Sequence, residues 1–464
     1  MKIDTRIHFE VSERKILLRL FDTVFVILAL FLLDSFVDFQ YIDVSLDNLW
    51  WIVILGLYVN VIGTIFEMYN LQVASNQFQV VRSILLTAST TVLFYLLTPF
   101  LTPFLPSNRL QIIYFFGAIF SALLIWRIFY QAFLASHRFE KKAVLICDKE
   151  EIVELVGDLQ AADPHYRVIG YIDTGKSESY VFNYGGVDAV QTENLVQFIQ
   201  EQTVSELVIA GAKADIITVP LYNELLRLLE FGFPIKEYTQ VYETLTQRIP
   251  IHYLDRDFYR YFLFSRSNQN KLYLIFVRAV EIILAIVGLI AGCAILPLIL
   301  LGNLLGNRGP LFYKQIRVGK FGKPFKIYKF RTMVKNAEAG AAVFATSNDV
   351  RVTTFGKFLR KTRLDEIPQF INILSGDMGF IGPRPERPEF VQELSDIMPF
   401  YETRHIIKPG LTGWAQVNYS YGQSFEDSLI KLQYDLYYIK HRSIFLDLNI
   451  VIKTFSTILF YRGQ

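Results

Sequence analysis

The chain has 464 residues, of which 52% are hydrophobic and 19% charged, with a formal net charge of +2. This is too apolar for an ordinary soluble protein, and the length fits two to four folding units rather than one. The near-zero net charge carries little by itself, because the distribution of charge along the chain matters more than its sum; no nucleic-acid partner is expected.

Four apolar segments fill the first third, at about Ile16–Leu33, Leu49–Tyr69, Ser83–Leu101 and Leu110–Leu134. Each is close to the ~18–20 residues a helix needs to cross a bilayer. Arg127 interrupts the fourth near its end, where its side chain is expected to snorkel to the interface. Lys2, Arg6, Arg14, Lys15 and Arg19 precede or open the first segment, the loop after it carries Asp34, Asp38, Asp43 and Asp47, and Arg138, Lys141 and Lys142 follow the fourth. The positive-inside rule places the N-terminus and the chain after Lys142 in the cytoplasm. The first apolar stretch is long and lacks a small-residue cleavage site, so no cleavable signal peptide is expected. Cys147 and Cys293 read as free buried thiols in a reducing compartment.

From Ala143 to about Tyr238 short β-rich runs alternate with helical ones. Ala143–Cys147, Arg167–Ile172, Glu206–Ala210 and Pro234–Glu237 read as strands; Glu150–Ala161, Glu193–Gln202 and Pro220–Phe231 read as helices. That alternation predicts a parallel, doubly wound α/β domain. Its first strand–helix turn, Cys147-Asp148-Lys149-Glu150, lacks the glycines that let a backbone approach a pyrophosphate, which favours a structural or regulatory module over a dinucleotide site. Val241 to Asn270, rich in Tyr, Phe and Arg, reads as a connection to the next apolar segment.

That segment runs from Leu272 to Leu305. Arg266, Lys271 and Arg278 lie on one side of it, and Arg308, Lys314, Arg317, Lys320, Lys323, Lys326, Lys329 and Arg331 on the other. Cations at both ends fit a helix that enters the inner leaflet, bends and returns better than a fifth span. Pro297, which has no amide donor, is the expected bend.

The remaining chain is polar enough to fold outside hydrocarbon. Its cationic, aromatic run from Lys314 to Met333 suits anionic lipid or phosphate. Farther on, Asp365-Glu366 follows Arg360, Lys361 and Arg363. Asp365 reads as a helix N-cap, Pro368 as a first-turn residue and Gly376 as the stop, so the helix dipole and upstream cations are expected to hold Asp365 ionised. Such a carboxylate can simply cap a helix, help to hold Mg2+ beside substrate phosphates, or attack phosphorus. Gly382-Pro383-Arg384-Pro385 fixes one Arg between two prolines. Pro409-Gly410-Leu411-Thr412-Gly413-Trp414 is a second stiff turn, whose indole can stack on a base or pack in a core. No pair among the six histidines has metal-ligand spacing, so no zinc site is expected.

In this order, Lys329-Phe330-Arg331-Thr332-Met333, Leu364-Asp365-Glu366-Ile367-Pro368-Gln369, Gly376-Asp377-Met378, Gly382-Pro383-Arg384-Pro385 and Pro409-Gly410-Leu411-Thr412-Gly413-Trp414 resemble the bacterial sugar transferase domain, the catalytic unit of the monotopic phosphoglycosyl transferases. The N-terminal segments and α/β module resemble the large polyprenyl-phosphate hexose-1-phosphate transferase branch. The resemblance implies transfer of a sugar-1-phosphate from a UDP-sugar to undecaprenyl phosphate with release of UMP, initiating exopolysaccharide or O-antigen synthesis. It also implies a covalent phosphosugar on Asp365, Mg2+ held by Asp365 and Glu366, phosphates held by Arg363, Arg384, Lys329, Arg331 and Arg317, and a homodimer in the bacterial inner membrane. Two positions depart from the family pattern: Leu296 precedes Pro297 where Ser is frequent, and Glu281 stands where Asp is.

The expected protein is therefore a multidomain α/β membrane protein. Residues 1–138 form a four-helix transmembrane bundle, 139–242 a Rossmann-like cytoplasmic domain, 243–271 a linker, 272–305 a re-entrant membrane helix and 306–464 an α/β monotopic catalytic domain. The tail from Glu426 to Arg462 reads either as helices lying in the interface or as ordinary packing onto the catalytic domain. One competing reading is a catalytically silent scaffold of a polysaccharide assembly complex. Another is a nucleotide-sugar oxidoreductase or dehydratase, which would need a glycine-rich turn and a Tyr-x-x-x-Lys that the α/β region lacks.

Overall fold

A computed structural model describes residues 11–37, 39–42, 45–69, 77–133, 140–163, 165–174, 186–210, 217–251, 268, 270–335, 337, 349–419 and 424–459. Most of the predicted linker, and the flanking cations Lys2, Arg6, Arg138 and Arg266, lie outside these residues. The chain divides into two compact units, Met1–Thr246 and Gln247–Gln464.

The first unit opens with four helices, α1 (Val11–Phe36), α2 (Leu49–Ile65), α3 (Gln77–Leu97) and α4 (Leu110–Phe133). On α1, Leu18, Asp22, Val26 and Leu30 form a buried row one helical turn apart, while Ile16, Leu20, Val24, Leu28 and Phe31 stay exposed. An apolar exposed row suits lipid. Three of the four predicted segments give helices long and apolar enough to cross a membrane. The second is shorter than predicted: α2 stops at Ile65, and the turn that follows carries Met68 and Tyr69 back over Gly63, where a Cβ would lie 2.9 Å from the Met68 side chain. Arg127 does not snorkel. It is buried and pairs with Asp22 at 2.8 Å, because the buried rows of α1 and α4 face one another.

The same unit holds a five-stranded sheet, ordered β3-β2-β1-β4-β5, from β1 (Lys141–Cys147), β2 (Tyr166–Asp173), β3 (Asp188–Ala189), β4 (Glu206–Ile209) and β5 (Ile235–Glu237). Every pairing is parallel. Connecting helices α5 (Ile152–Ala162), α6 (Leu195–Gln202), α7 (Val219–Glu230) and α8 (Tyr238–Thr246) complete the alternation read from sequence. The two-residue β3 has no apolar run and left no signal. At the first turn Asp173 accepts from the Lys149 amide, so carboxylate occupies this strand end.

The second unit begins with α9 (Lys271–Gly302), capped by Asn270, whose side chain accepts from the amides of Leu272 and Tyr273. The helical pattern continues through Pro297 and ends in a π-helical turn, Asn303–Asn307. Only a narrow row of α9 is buried, including Glu281, Ala285, Gly292 and Ile299; Ile275, Ile283, Val287, Ile290 and Leu298 are exposed. Cys293 is exposed on this helix, contrary to the sequence reading, whereas Cys147 is buried as expected.

A hairpin follows, β6 (Phe312–Val318) against β7 (Pro324–Phe330). Then come α10 (Thr354–Lys361), a 3-10 turn at Leu364–Glu366, α11 (Gln369–Ser375), β8 (Gly379–Ile381), α12 (Pro388–Ile397), β9 (Gly410–Thr412), α13 (Trp414–Asn418), α14 (Phe425–His441) and α15 (Ile444–Leu459). Glycines let this domain lie directly on α9. A Cβ at Gly288 would meet the Phe370 ring at 2.4 Å, one at Gly292 the Ile367 methyl at 2.6 Å, and one at Gly302 the Phe355 ring at 2.2 Å. α14 buries Leu432, Leu436, Tyr438 and Ile439 in the core, while α15 exposes Phe445, Leu448 and Phe455.

Candidate active site

Asp365 and Glu366 sit in the 3-10 turn between α10 and α11, and both are buried. Arg363, immediately before the turn, has φ 57. This left-handed conformation costs a non-glycine residue about 1–2 kcal/mol, and it breaks the chain away from α10. Asp365 is thus inside a turn and is not the cap of α11, which begins at Gln369 after Pro368. Gly376, at φ 89, ends that helix as expected.

Three cations converge on one oxygen. Glu366 Oε1 lies 3.4 Å from Lys329 Nζ, 3.3 Å from an Arg363 terminal nitrogen and 3.8 Å from one of Arg384. Burial alone would push the Glu366 carboxyl up, but Lys329, Arg363 and Arg384 outweigh it and hold the group below the usual carboxylate range. The opposite holds for Asp365. Burial raises it, the Glu366 charge raises it further, and Lys329, Arg363 and Arg360 offset only part. The expected lowering by upstream cations is therefore overturned by desolvation and an adjacent like charge. Asp365 Oδ1 is buried without a hydrogen-bond partner.

Lys329 reaches the cluster because Asn372 ties β7 to α11: its amide nitrogen donates to the Lys326 carbonyl at 2.7 Å, and its oxygen accepts from the Tyr328 amide at 3.1 Å. Arg278 donates to the carbonyls of Ile373 and Leu374 at 2.7 and 2.9 Å, satisfying the C-terminal end of α11. Glu281 accepts from the Phe380 amide at 3.2 Å and pairs with Arg278 at 3.3 Å. The longer Glu at this position therefore joins α9 to β8 directly. Sequence reading had singled out Glu281 only as a departure and had not found Asn372, which has no signal beyond its position one turn into a short helix.

Arg384 arrives on a loop clamped by glycines. β8 and β9 pair in parallel, and a Cβ at Gly410 would lie 2.1 Å from the Gly382 nitrogen. Of the other predicted residues, Arg317 pairs with Glu386 at 3.5 Å and donates to the Pro385 carbonyl at 3.0 Å, bracing the same loop. Arg331 is differently placed: its guanidinium donates to the carbonyls of Pro310, Met333 and Asn307, so it fastens the entry to the hairpin. Trp414 is a core residue, stacked on Tyr437 with its indole nitrogen donating to the Gln247 carbonyl at 3.3 Å. A separate cavity of about 520 Å³, lined by Val318, Phe321, Pro388, Val391 and His405 among others, contains none of the clustered residues.

Mg2+ is typically held by one or two carboxylates together with water and substrate phosphates. No group of three or more His, Cys, Asp or Glu is gathered among the described residues. One unpartnered, buried carboxylate oxygen nonetheless suits a cation that takes few protein ligands and fills its shell with water and phosphate.

Residues 272–461 match the family model described as bacterial sugar transferase, and residues 64–215 match one described as CoA-binding domain. A Bacillus subtilis protein described as an uncharacterized sugar transferase is 40% identical over 158 residues, 33% of this chain and 72% of that protein. The chain belongs to the bacterial sugar transferase family. An Aeromonas hydrophila relative, named UDP-N-acetylgalactosamine-undecaprenyl-phosphate N-acetylgalactosaminephosphotransferase, is 39% identical over 254 residues, 55% of this chain and 59% of its own. The Escherichia coli UDP-glucose:undecaprenyl-phosphate glucose-1-phosphate transferase is 41% identical over 192 residues, 40% of each chain. This bacterial sugar transferase thus spans about half the length of these two relatives, and the carboxylate pair with its three cations lies wholly within the family match.

Proposed function

We propose that the protein moves a sugar-1-phosphate from a UDP-sugar to undecaprenyl phosphate, releasing UMP, as the initiating membrane step of exopolysaccharide or O-antigen synthesis. One observation carries this reading: within the matched domain, a buried and unpartnered Asp365 oxygen adjoins a glutamate that gathers Lys329, Arg363 and Arg384. These cations have partly exposed side chains, and guanidinium groups match phosphate oxygens in pairs.

In the proposed first step an ionised Asp365 oxygen attacks the sugar-bearing phosphorus. The bridging P–O bond breaks and UMP departs with the electron pair. In the second, a phosphate oxygen of the lipid attacks the aspartyl phosphosugar; the Asp–O–P bond breaks, the carboxylate is restored and the polyprenyl diphosphate sugar leaves. Arg363, Arg384 and Lys329 bind the phosphates, while Glu366 keeps the three cations together before substrate arrives. Mg2+, held by Asp365 Oδ1, would supply neutralisation of the diphosphate charge.

The same reading keeps both ends of α9 on one side of the membrane. Arg278 and Gly302 are 24 positions apart, about 36 Å of helix, yet both touch the catalytic domain, through α11 and through Phe355. A crossing helix would have to place those contacts on opposite faces. Pro297 leaves the Cys293 carbonyl without its helical donor, which weakens the helix where the bend is proposed.

The test is UMP release from a panel of UDP-sugars, with Mg2+ and undecaprenyl phosphate in nanodiscs. Release accompanied by labelled sugar phosphate in the lipid supports the reading; absence of release from every donor by folded protein overturns it.

A further inference from the structure

Four successive carbonyls of the Arg384 loop are each held by a fixed donor. Pro383 accepts from the Gly410 amide at 2.9 Å, Arg384 from an Arg404 terminal nitrogen at 3.0 Å, Pro385 from Arg317 at 3.0 Å and Glu386 from the Val318 amide at 2.9 Å. Two of these donors are backbone amides of neighbouring strands. The other two are guanidinium groups, and of these Arg404, on the 3-10 turn Tyr401–Ile406, is the buried one. The nitrogen that holds the Arg384 carbonyl also donates to Asp435 on α14 at 2.8 Å, and the other terminal nitrogen donates to the Tyr401 hydroxyl at 2.6 Å. A buried ion pair is a poor source of net stability compared with apolar packing. It is well suited to fixing a geometry, because its members have few other places to point.

We propose that Arg404, oriented by Asp435 and Tyr401, is a positioning residue that fixes the Arg384 backbone and thereby aims the Arg384 guanidinium at Glu366 and at the diphosphate of the donor. With prolines on either side, Arg384 has little backbone freedom left once its carbonyl is held. Its side chain then starts from one fixed origin, and preorganisation of this kind is expressed in binding. The proposal rests on the transfer reading for the identity of the ligand, and only on the geometry for the coupling.

The experiment is a double-mutant cycle. Arg404→Gln with Asp435→Asn replaces the ion pair by a neutral hydrogen-bonding pair, which avoids leaving a lone buried charge. This double variant is made in the wild-type chain and in an Arg384→Ala background, with thermal unfolding as the control for folding. Affinity for UDP with Mg2+ and UMP release from the active UDP-sugar are both measured. The expected result is a loss of about tenfold in the wild-type background and little further loss once Arg384 is gone, the sign of coupled neighbours. Equal fold losses in the two backgrounds would mean that the pair acts only on the fold and would overturn the proposal, leaving the transferase reading intact. UDP affinity coupled in this way without UMP release from any donor would support the positioning role and overturn the transferase reading. Wild-type protein with no UDP affinity would overturn both.

Discussion

Glu366 gathers Lys329, Arg363 and Arg384 within 3.8 Å of one oxygen, while Oδ1 of the adjoining Asp365 is buried with no hydrogen-bond partner. Two carboxylates joined by one peptide bond thus have opposite electrostatics. Glu366 is fixed in its ionised form by its neighbours, and its charge, added to burial, raises Asp365. A bound diphosphate would draw the cations and the carboxylate into a common arrangement. The cations are already assembled in the free protein, so the proposed transfer would need little reorganisation of them.

Replacing Asp365 by Asn should stabilise the free protein at neutral pH. Asp365 has a folded-state pKa raised by burial and by Glu366, so between its unfolded value, about 3.9, and the raised value the folded protein binds more protons. Stability therefore falls as pH rises through that window. Asp365→Asn should be more stable than wild type at pH 7 and unfold at a higher temperature, with the difference vanishing below about pH 4. Thermal unfolding in EDTA at several pH values checks this. A lower unfolding temperature for Asn at pH 7 would show that the Asp365 charge is stabilising.

Gly410→Ala should break the loop that carries Arg384. The new Cβ would meet the Gly382 nitrogen at 2.1 Å, and backbone cannot rotate away as a flexible side chain can. Overpacking of this kind costs about 1–3 kcal/mol or more. Chemical unfolding gives the stability loss, and UMP release should fall with it. A glycine at this site is thus required by close approach of two strands, whatever the φ angle.

Much of the architecture was legible because apolar runs and strand–helix alternation are local signals. The apolar runs, the parallel α/β sheet, the Gly376 stop and the company of Asp365 with Glu366 and Arg363 all come from residues close in sequence. What the sequence did not disclose depends on tertiary neighbours. Asp22 and Arg127 are 105 positions apart and could not be paired in advance; Arg404 and Asp435 had no motif at all. The resemblance groups Arg331 with the phosphate-binding cations, and a motif does not disclose that three backbone carbonyls accept from this guanidinium. The raised Asp365 could not be foreseen either, since upstream cations are visible in sequence and desolvation is not.

Arg127→Leu should lower stability sharply. It leaves the buried Asp22 carboxylate facing an apolar neighbour where an ion pair stood at 2.8 Å. Removing one member of a buried pair costs about 3–5 kcal/mol. The amount of folded protein extracted in detergent should drop, and Asp22→Asn added to Arg127→Leu should restore part of it. No recovery in the double variant would show that Arg127 acts through packing and not through its charge.

The proposed re-entrant course of α9 predicts one-sided labelling. With Cys293 replaced, Lys271→Cys and Lys314→Cys should both react with a membrane-impermeant maleimide in inside-out vesicles and both be protected in right-side-out ones. Labelling of the two positions from opposite sides would mean that α9 crosses the bilayer.

The central claim is tested most directly by a single-turnover experiment without the lipid acceptor. UDP-sugar carrying label in the sugar phosphate is mixed with the protein and Mg2+, and released UMP and protein-bound label are counted. The account predicts up to one UMP per active site, an equal amount of label retained on wild-type protein and discharged by undecaprenyl phosphate, and neither signal from Asp365→Asn. UMP release that needs the acceptor and leaves no label on the protein would contradict it, as would equal labelling of the Asn variant.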